Sequence, residues 1–195
     1  MSRTATVRRT TGETDVEVRL DLDGAGVAEA VTGIGFFDHM LVLLARHSLI
    51  DISVNATGDL ETGSHHTVED TGITLGLALD EALGDRSGIE RYGSSLLPMD
   101  EVLVQVAMDL SGRPYLSFDA PLAPMVLGGF ETDLVAEFLR GLSNASRMTL
   151  HVDVLKGGGP HHVIEGCFKG VARALRGAVA RNPRVSGVPS SKGSL

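Results

Sequence analysis

The chain has no tryptophan, a single cysteine and only 4% aromatic residues in a length of 195. One cysteine excludes an internal disulfide framework and suits a reducing, cytoplasmic location. That cysteine, Cys167, lies within an apolar stretch, where a thiol reads as a small buried hydrophobe. With so few aromatics, the core must be built from Leu, Val, Ala and Ile, drawn from a hydrophobic fraction of 43%. No apolar run approaches the roughly 18 residues that a membrane span requires. The opening Met1-Ser2-Arg3-Thr4 has no apolar region of the kind that marks a signal peptide. Positive charge is also short: 17 Lys and Arg stand against 25 Asp and Glu, a formal net charge of −8. This argues against a general nucleic-acid binder but leaves room for a local basic pocket.

Glycine is plentiful at 24 residues, which points to many tight turns and close backbone approaches. Histidine is patterned. Four of the seven histidines occur in two copies of His-His-x-x-Glu: His65-His66-Thr67-Val68-Glu69 and His161-His162-Val163-Ile164-Glu165. Each copy opens an apolar stretch with helical spacing, Val68 to Leu83 and Val163 to Val179. Residues four apart stack on one helix face, so His65 shares a face with Glu69 and His161 with Glu165. Adjacent residues are about 100° apart around a helix. The two histidines of a pair therefore point in different directions and are expected to serve two different metals.

The rest of the chain repeats around these motifs. Residues 4–10 and 14–22 read as a strand pair turning at Thr11-Gly12-Glu13, with Val16, Val18, Leu20 and Leu22 on one face. A strand over 27–33, a helix over Phe36–Arg46 and a strand over Leu49–Ala56 then lead to the first motif helix. In the second half, residues 94–109 and 113–119 supply strands, Phe130–Leu142 a helix and Met148–Leu155 a strand. Lys156-Gly157-Gly158-Gly159-Pro160 then enters the second motif helix and lacks the Lys-Ser/Thr ending of a P-loop. Phe37-Asp38 parallels Phe130-Glu131, and Ile50–Val54 parallels Leu150–Val154. The expected fold class is α+β: internally duplicated half-domains, strands–helix–strand–helix twice, with two sheets flanking a central helical layer. The expected boundaries are 1–90 and 91–181, followed by a Gly/Ser-rich tail, 182–195, able to close over an anion.

Six histidines are candidate ligands: the four in the motifs, His39 at a helix start and His151 on a strand. With Glu69 and Glu165 they divide into two sites of three imidazoles and one carboxylate each. An octahedral ion in such a site keeps open positions, which indicates catalysis. Nitrogen and oxygen ligands without thiolate favour Mn²⁺, with Fe²⁺, Co²⁺ or Zn²⁺ able to compete.

Longer motifs carry a resemblance. Gly33-Ile-Gly-Phe-Phe-Asp-His-Met-Leu41, Gly58-Asp-Leu60, His65-His-Thr-Val-Glu-Asp70, Arg91-Tyr-Gly93, Pro98-Met-Asp-Glu101, Asp109-Leu-Ser-Gly-Arg-Pro-Tyr-Leu116, His161-His162, Phe168-Lys169, Ala172–Arg176 and Pro189-Ser-Ser-Lys-Gly193 together resemble the imidazoleglycerol-phosphate dehydratase family of histidine biosynthesis. The resemblance implies a ribosomal protein S5 domain 2-like fold and a manganese-dependent carbon–oxygen lyase. It also implies a homo-oligomeric 24-subunit shell built from trimers, with two Mn²⁺ per active site between chains. As ligands it implies His39, His65, His66, Glu69, His151, His161, His162 and Glu165, and as a catalytic residue Glu13. Contacts to phosphate or substrate are implied for His47, Arg91, Arg113, Ser191 and Lys192. The chain departs from the family pattern at Gly63 and Ser64, where acidic residues are usual, and at Gly159, where Asn is common.

The reaction so implied converts imidazoleglycerol phosphate to imidazole-acetol phosphate and water. Its expected course runs through a metal-bound imidazolate and a diazafulvene, with Glu13 removing the C–H proton. Arg113, in a turn entering a strand, can hold a phosphate with a rigid fork, and Lys192 can close the tail over it. Two rival readings are a metallohydrolase that releases phosphate or amine, and a metal-storing shell with full coordination.

Overall fold

The computed structural model describes residues 2–193 and 195. The first half runs β1 (Thr4–Thr10), β2 (Thr14–Asp21), β3 (Ala28–Val31), α1 (Gly35–Ser48), β4 (Asp51–Gly58) and α2 (His65–Leu83). The second runs β5 (Tyr92–Met99), β6 (Val102–Asp109), β7 (Tyr115–Asp119), a short pair β8 (Val126–Leu127) and β9 (Phe130–Glu131), α3 (Leu134–Ala145), β10 (Thr149–Lys156) and α4 (Pro160–Val179).

The two main sheets share one topology, β1-β2-β4-β3 and β5-β6-β10-β7. In each, the first three strands in spatial order are antiparallel and the last pair is parallel. Period-two patterning explains which face turns inward. Val16, Val18 and Leu20 of β2 are buried while Glu17 and Arg19 face outward, and Val102, Val104, Val106 and Met108 repeat this on β6. The four helices fill the space between the sheets. α2 lies on β1 and β2, α4 on β5 and β6, and α1 and α3 pack against α4 and α2 respectively. The duplicated α+β architecture is thus the observed one. Among the described residues no helix is long and apolar enough to cross a membrane.

The few aromatics are concentrated at the centre. Phe37 stacks on Phe130 at 5.6 Å and meets Phe138 edge-on at 5.4 Å, and Phe138 stacks on Phe168 at 5.1 Å. All four are essentially buried, each contributing about 1.5–3 kcal/mol through burial. Glycine sets the closest helix crossing: a Cβ on Gly72 of α2 would lie 2.5 Å from the Phe138 carbonyl oxygen of α3.

One expected element is wrong. Phe130–Leu142 is not a continuous helix, because Phe130 and Glu131 form β9 and the helix begins at Leu134. Gly128 and Gly129, both at positive φ (54° and 84°), fold β8 back onto β9. Thr132 then closes the loop through its hydroxyl, which accepts from the Met125 N–H at 3.1 Å and donates to the Ala123 carbonyl at 2.8 Å. Leu49 is not in a strand either. It ends α1 in the left-handed conformation (φ 60°), and β4 starts at Asp51.

Candidate metal centre

Both motif histidine pairs sit on the first turn of a helix. Pro160 supplies the first residue of α4, where its missing N–H costs nothing, after an extended Gly159. At α2, Gly63 has φ 121°, a conformation that suits glycine and strains an acidic side chain, and Ser64 donates to the Gly129 carbonyl. The rings diverge as the helix geometry requires. His65 and His66 are 6.0 Å apart at 84°, and His161 and His162 are 5.9 Å apart at 87°.

The first histidine of each pair faces its own glutamate. His65 Nε2 is 3.5 Å from Glu69 Oε2, and His161 Nε2 is 3.2 Å from Glu165 Oε2. His39, from the start of α1, brings its Nε2 to 4.0 Å from the same Glu165 oxygen. His39 and His161 therefore face the same Glu165 oxygen. The second Glu165 oxygen meets Lys169 Nζ at 2.5 Å. Burial acts to raise the Glu165 pKa, but the Lys169 hydrogen bond and charge outweigh it and hold the carboxyl below its ordinary value.

The second histidine of each pair has its Nδ1 on a carboxylate. His66 Nδ1 lies 3.1 Å from both Asp59 oxygens, while its Nε2 faces Glu13 at 3.7 Å. His162 Nδ1 lies 3.0 and 3.1 Å from the Glu101 oxygens. Each hydrogen bond raises the pKa of its imidazole. Asp100, Glu101 and His162 each offer a donor atom within 4.8 Å of the others, a grouping able to hold a cation.

His151 stands apart, exposed on β10 beside the Tyr115 ring at 5.4 Å. Its neighbour on β6 is Ala107, whereas the hairpin end near Glu101 is reached at Leu103. At ~3.3 Å per residue the two positions are about 13 Å apart. No group among the described residues of this single chain assembles three imidazoles and a carboxylate.

The basic residues cluster on the side where His151 lies. Arg91 Nε and Nη2 donate to the two Asp109 oxygens at 2.7 and 3.0 Å, and Nη1 donates to the Pro189 carbonyl at 2.9 Å. Arg91 thereby ties the tail to β6. Arg113 is exposed, with Nη2 3.8 Å from Asp109. Ser191 and Lys192 are exposed just beyond Pro189, and the Lys192 N–H donates to the Ser190 hydroxyl at 3.2 Å. A shallow hollow lined by Tyr92, Asp109, Thr149 and His151 brings Asp109, the partner of Arg91, and His151 to one surface. His47 is elsewhere, half-buried on the last turn of α1, and burial together with Lys169 and Arg173 lowers its pKa.

Asp59, Asp100, Glu101 and Lys169 were not expected at the site. One signal for Glu101 lay in the duplication: Glu13 precedes β2 as Glu101 precedes β6. Lys169, one turn after Glu165, is likewise a regular i,i+4 pair.

A family model described as imidazoleglycerol-phosphate dehydratase matches residues 32–175. An imidazoleglycerol-phosphate dehydratase from Rhodopseudomonas palustris is 56% identical over 194 residues, covering 99% of this chain and 98% of that protein. One from Moorella thermoacetica is 53% identical over 195 residues, covering 100% of both. The crystal structure of the Staphylococcus aureus dehydratase matches with a TM-score of 0.83 and 39% identity, over 92% of this chain and 99% of that one. The Pyrococcus furiosus dehydratase, solved in complex with (S)-C348, matches with a TM-score of 0.84 and 39% identity, over 97% and 100%.

Proposed function

Because the chain belongs to the imidazoleglycerol-phosphate dehydratase family and is a metal-binding lyase that dehydrates imidazoleglycerol phosphate in histidine biosynthesis, we propose that it does so with two Mn²⁺ per active site, in sites completed between chains. Family membership displaces the hydrolase and storage-shell readings. The observation that carries the proposal is the divergence of each histidine pair, together with the scattering of the ligand set over one chain.

The ligands are His39, His65, His66, Glu69, His151, His161, His162 and Glu165. The donor chemistry fits a divalent ion: imidazoles facing carboxylates, two of them with Nδ1 on a carboxylate, which leaves Nε2 as the nitrogen for a metal. Bound Mn²⁺ supplies positive charge that stabilises negative charge on an imidazole ring. Neighbouring copies in a trimer-based, 24-subunit shell supply what each cluster lacks. Exposed apolar residues such as Leu96 (63%) and Val126 (62%) support further burial on assembly.

Glu13 acts as the base. It is exposed in the β1–β2 turn, held at its backbone by the Thr11 hydroxyl, which accepts from its N–H at 3.1 Å. Its carboxylate lies 3.7 Å from His66 Nε2, and in this reading it takes the proton from the substrate carbon. Arg113 offers an exposed guanidinium, held by long contacts to Asp109 and the Ser111 carbonyl, to the phosphate, and Ser191, Lys192, Arg91 and His47 complete the substrate contacts. We read residues 1–90 and 91–181 as the two half-domains, and 182–195 as a phosphate-binding lid that limits water access.

The test is turnover of imidazoleglycerol phosphate by Mn²⁺-loaded, assembled protein, with the enolisable ketone detected after alkaline quench. Ketone formation that disappears on EDTA stripping and returns with Mn²⁺ is expected. Equal turnover by the stripped protein would remove the metal from the mechanism.

A further inference from the structure

The two halves supply the carboxylate beside their second histidine from different places. In the first half the loop after β4 carries Asp59, which takes His66 Nδ1, and the hairpin acid Glu13 is left on the Nε2 side. In the second half the loop after β10 is Gly157-Gly158-Gly159 and has no side chain to offer. The hairpin acid Glu101 fills the place instead. Both its oxygens lie within hydrogen-bond distance of His162 Nδ1, and Oε1 also accepts from the Gly159 N–H at 3.1 Å. Gly158 is what admits it: a Cβ built there would overlap the Glu101 carboxylate.

We propose that Glu101 is a positioning residue for His162, fixing the ring so that Nε2 is presented to the metal, and that Gly158 is the cradle that lets it do so. A carboxylate on Nδ1 holds the proton on that nitrogen and leaves the lone pair on the other. Glu101 thus does for His162 what Asp59 does for His66. The competing role for Glu101 is direct ligation alongside Asp100 and His162. The proposal rests on the assignment of His162 as a metal ligand.

The experiment is a Mn²⁺ titration of the metal-free, full-length, assembled protein. Free ion is followed by electron paramagnetic resonance, which reports both the number of ions bound and their affinity. Wild type, Glu101→Ala, Gly158→Ala, His162→Ala and the Glu101→Ala/His162→Ala double variant are compared. Glu101→Ala is expected to keep the number of ions and to weaken one class of site by about 10–100-fold. Gly158→Ala, which retains the carboxylate but takes its room, weakens the same class. In the His162→Ala background the Glu101 substitution adds no further loss. An ion missing from Glu101→Ala would make Glu101 a ligand and overturn the proposal. So would affinity within twofold of wild type, or an undiminished Glu101 effect in the His162→Ala background. His162→Ala binding like wild type would overturn the ligand assignment itself.

Discussion

At the start of β2, Thr14 is buried and donates to Asp70 of α2 at 2.5 Å, and Arg9 pairs with the other Asp70 oxygen at 2.6 Å. The same place in the second half holds Val102 and Gly166, where a Cβ on the glycine would stand 3.4 Å from Val102 and 3.0 Å from Val104. Strand and motif helix therefore meet through a hydrogen bond from Thr14 and an ion pair with Arg9 in one half, and through close apolar packing in the other. The fold constrains the space at this contact and leaves its polarity free, provided that every buried polar group finds a partner. The same freedom reaches the motif ends. With Asp59 in the loop, Glu13 is left free of His66 Nδ1; with glycines in the loop, Glu101 is held on His162 Nδ1.

The sharpest way to break this comparison is at the two hairpin acids. Glu13→Gln removes the proposed base, so turnover should fall about 10²–10⁴-fold. Mn²⁺ affinity should be unchanged in the same variant, measured by metal titration, in contrast to Glu101→Ala. If Glu13→Gln instead lost metal and kept its turnover per bound ion, the halves would be doing the same job.

A smaller effect follows at the strand–helix contact. Asp70→Ala removes the ion-pair partner of Arg9 and leaves the buried Thr14 hydroxyl with the Thr11 hydroxyl at 3.2 Å, and should cost about 1–3 kcal/mol, read from denaturant unfolding. Thr14→Val in the same chain removes the hydroxyl that has lost Asp70, so the double variant should lose less than the sum of the single losses. Simple additivity would mean that the two side chains do not act as a unit.

The second residues of β1 and β5, Ala5 and Gly93, form a third pair. A Cβ on Gly93 would overlap the Ala174 carbonyl of α4, whereas Ala5 sits in its own site with 6% exposure. Gly93→Ala should destabilise by about 1–3 kcal/mol through overpacking. Ala5→Gly should cost only about 0.5–1 kcal/mol, the conformational penalty of glycine in a strand. Thermal melts of the two variants check the ordering, and a tolerated Gly93→Ala would show that α4 can move off its sheet.

Much of the fold was legible because strong periodicities coincide with the elements. The alternation of Val16, Val18 and Leu20 and the helical spacing after each His-His-x-x-Glu survive in β2, α2 and α4. Phe130 misled because an apolar residue that packs in the core looks the same at a strand end as in a helix. The local signal against a helix there is Gly128-Gly129, a pair suited to a tight hairpin. At the site, i,i+4 geometry placed His65 with Glu69 and His161 with Glu165, and it also predicted the divergence of adjacent rings. The partners of His66 and His162 come from Asp59 and Glu101, at distances in sequence that no local periodicity encodes. Cys167 is buried, its pKa pushed up to about 12 by burial, as the apolar stretch around it indicated.

The smallest contrast between the halves lies at the ends of α1 and α3. Leu49, which caps α1, and Arg147, one residue past the Ser146 cap of α3, both take the left-handed conformation, which aligns His47 with Ala145. Burial disfavours the charged form of His47, and the cationic Lys169 and Arg173 add to this, against a weaker opposing pull from Glu165. A histidine whose folded pKa lies below its unfolded value releases protons on folding. Its contribution to stability is then fully present above the unfolded value, near 6.5, and is lost as pH falls toward the folded one. Acidifying the metal-free protein from about pH 7.5 to about 5.5 should therefore lower the melting temperature of wild type more than that of His47→Ala, which makes the two helix ends alike. Equal losses would mean that His47 charges freely at its place, and that the group of Lys169, Arg173 and His47 repels less than its geometry implies.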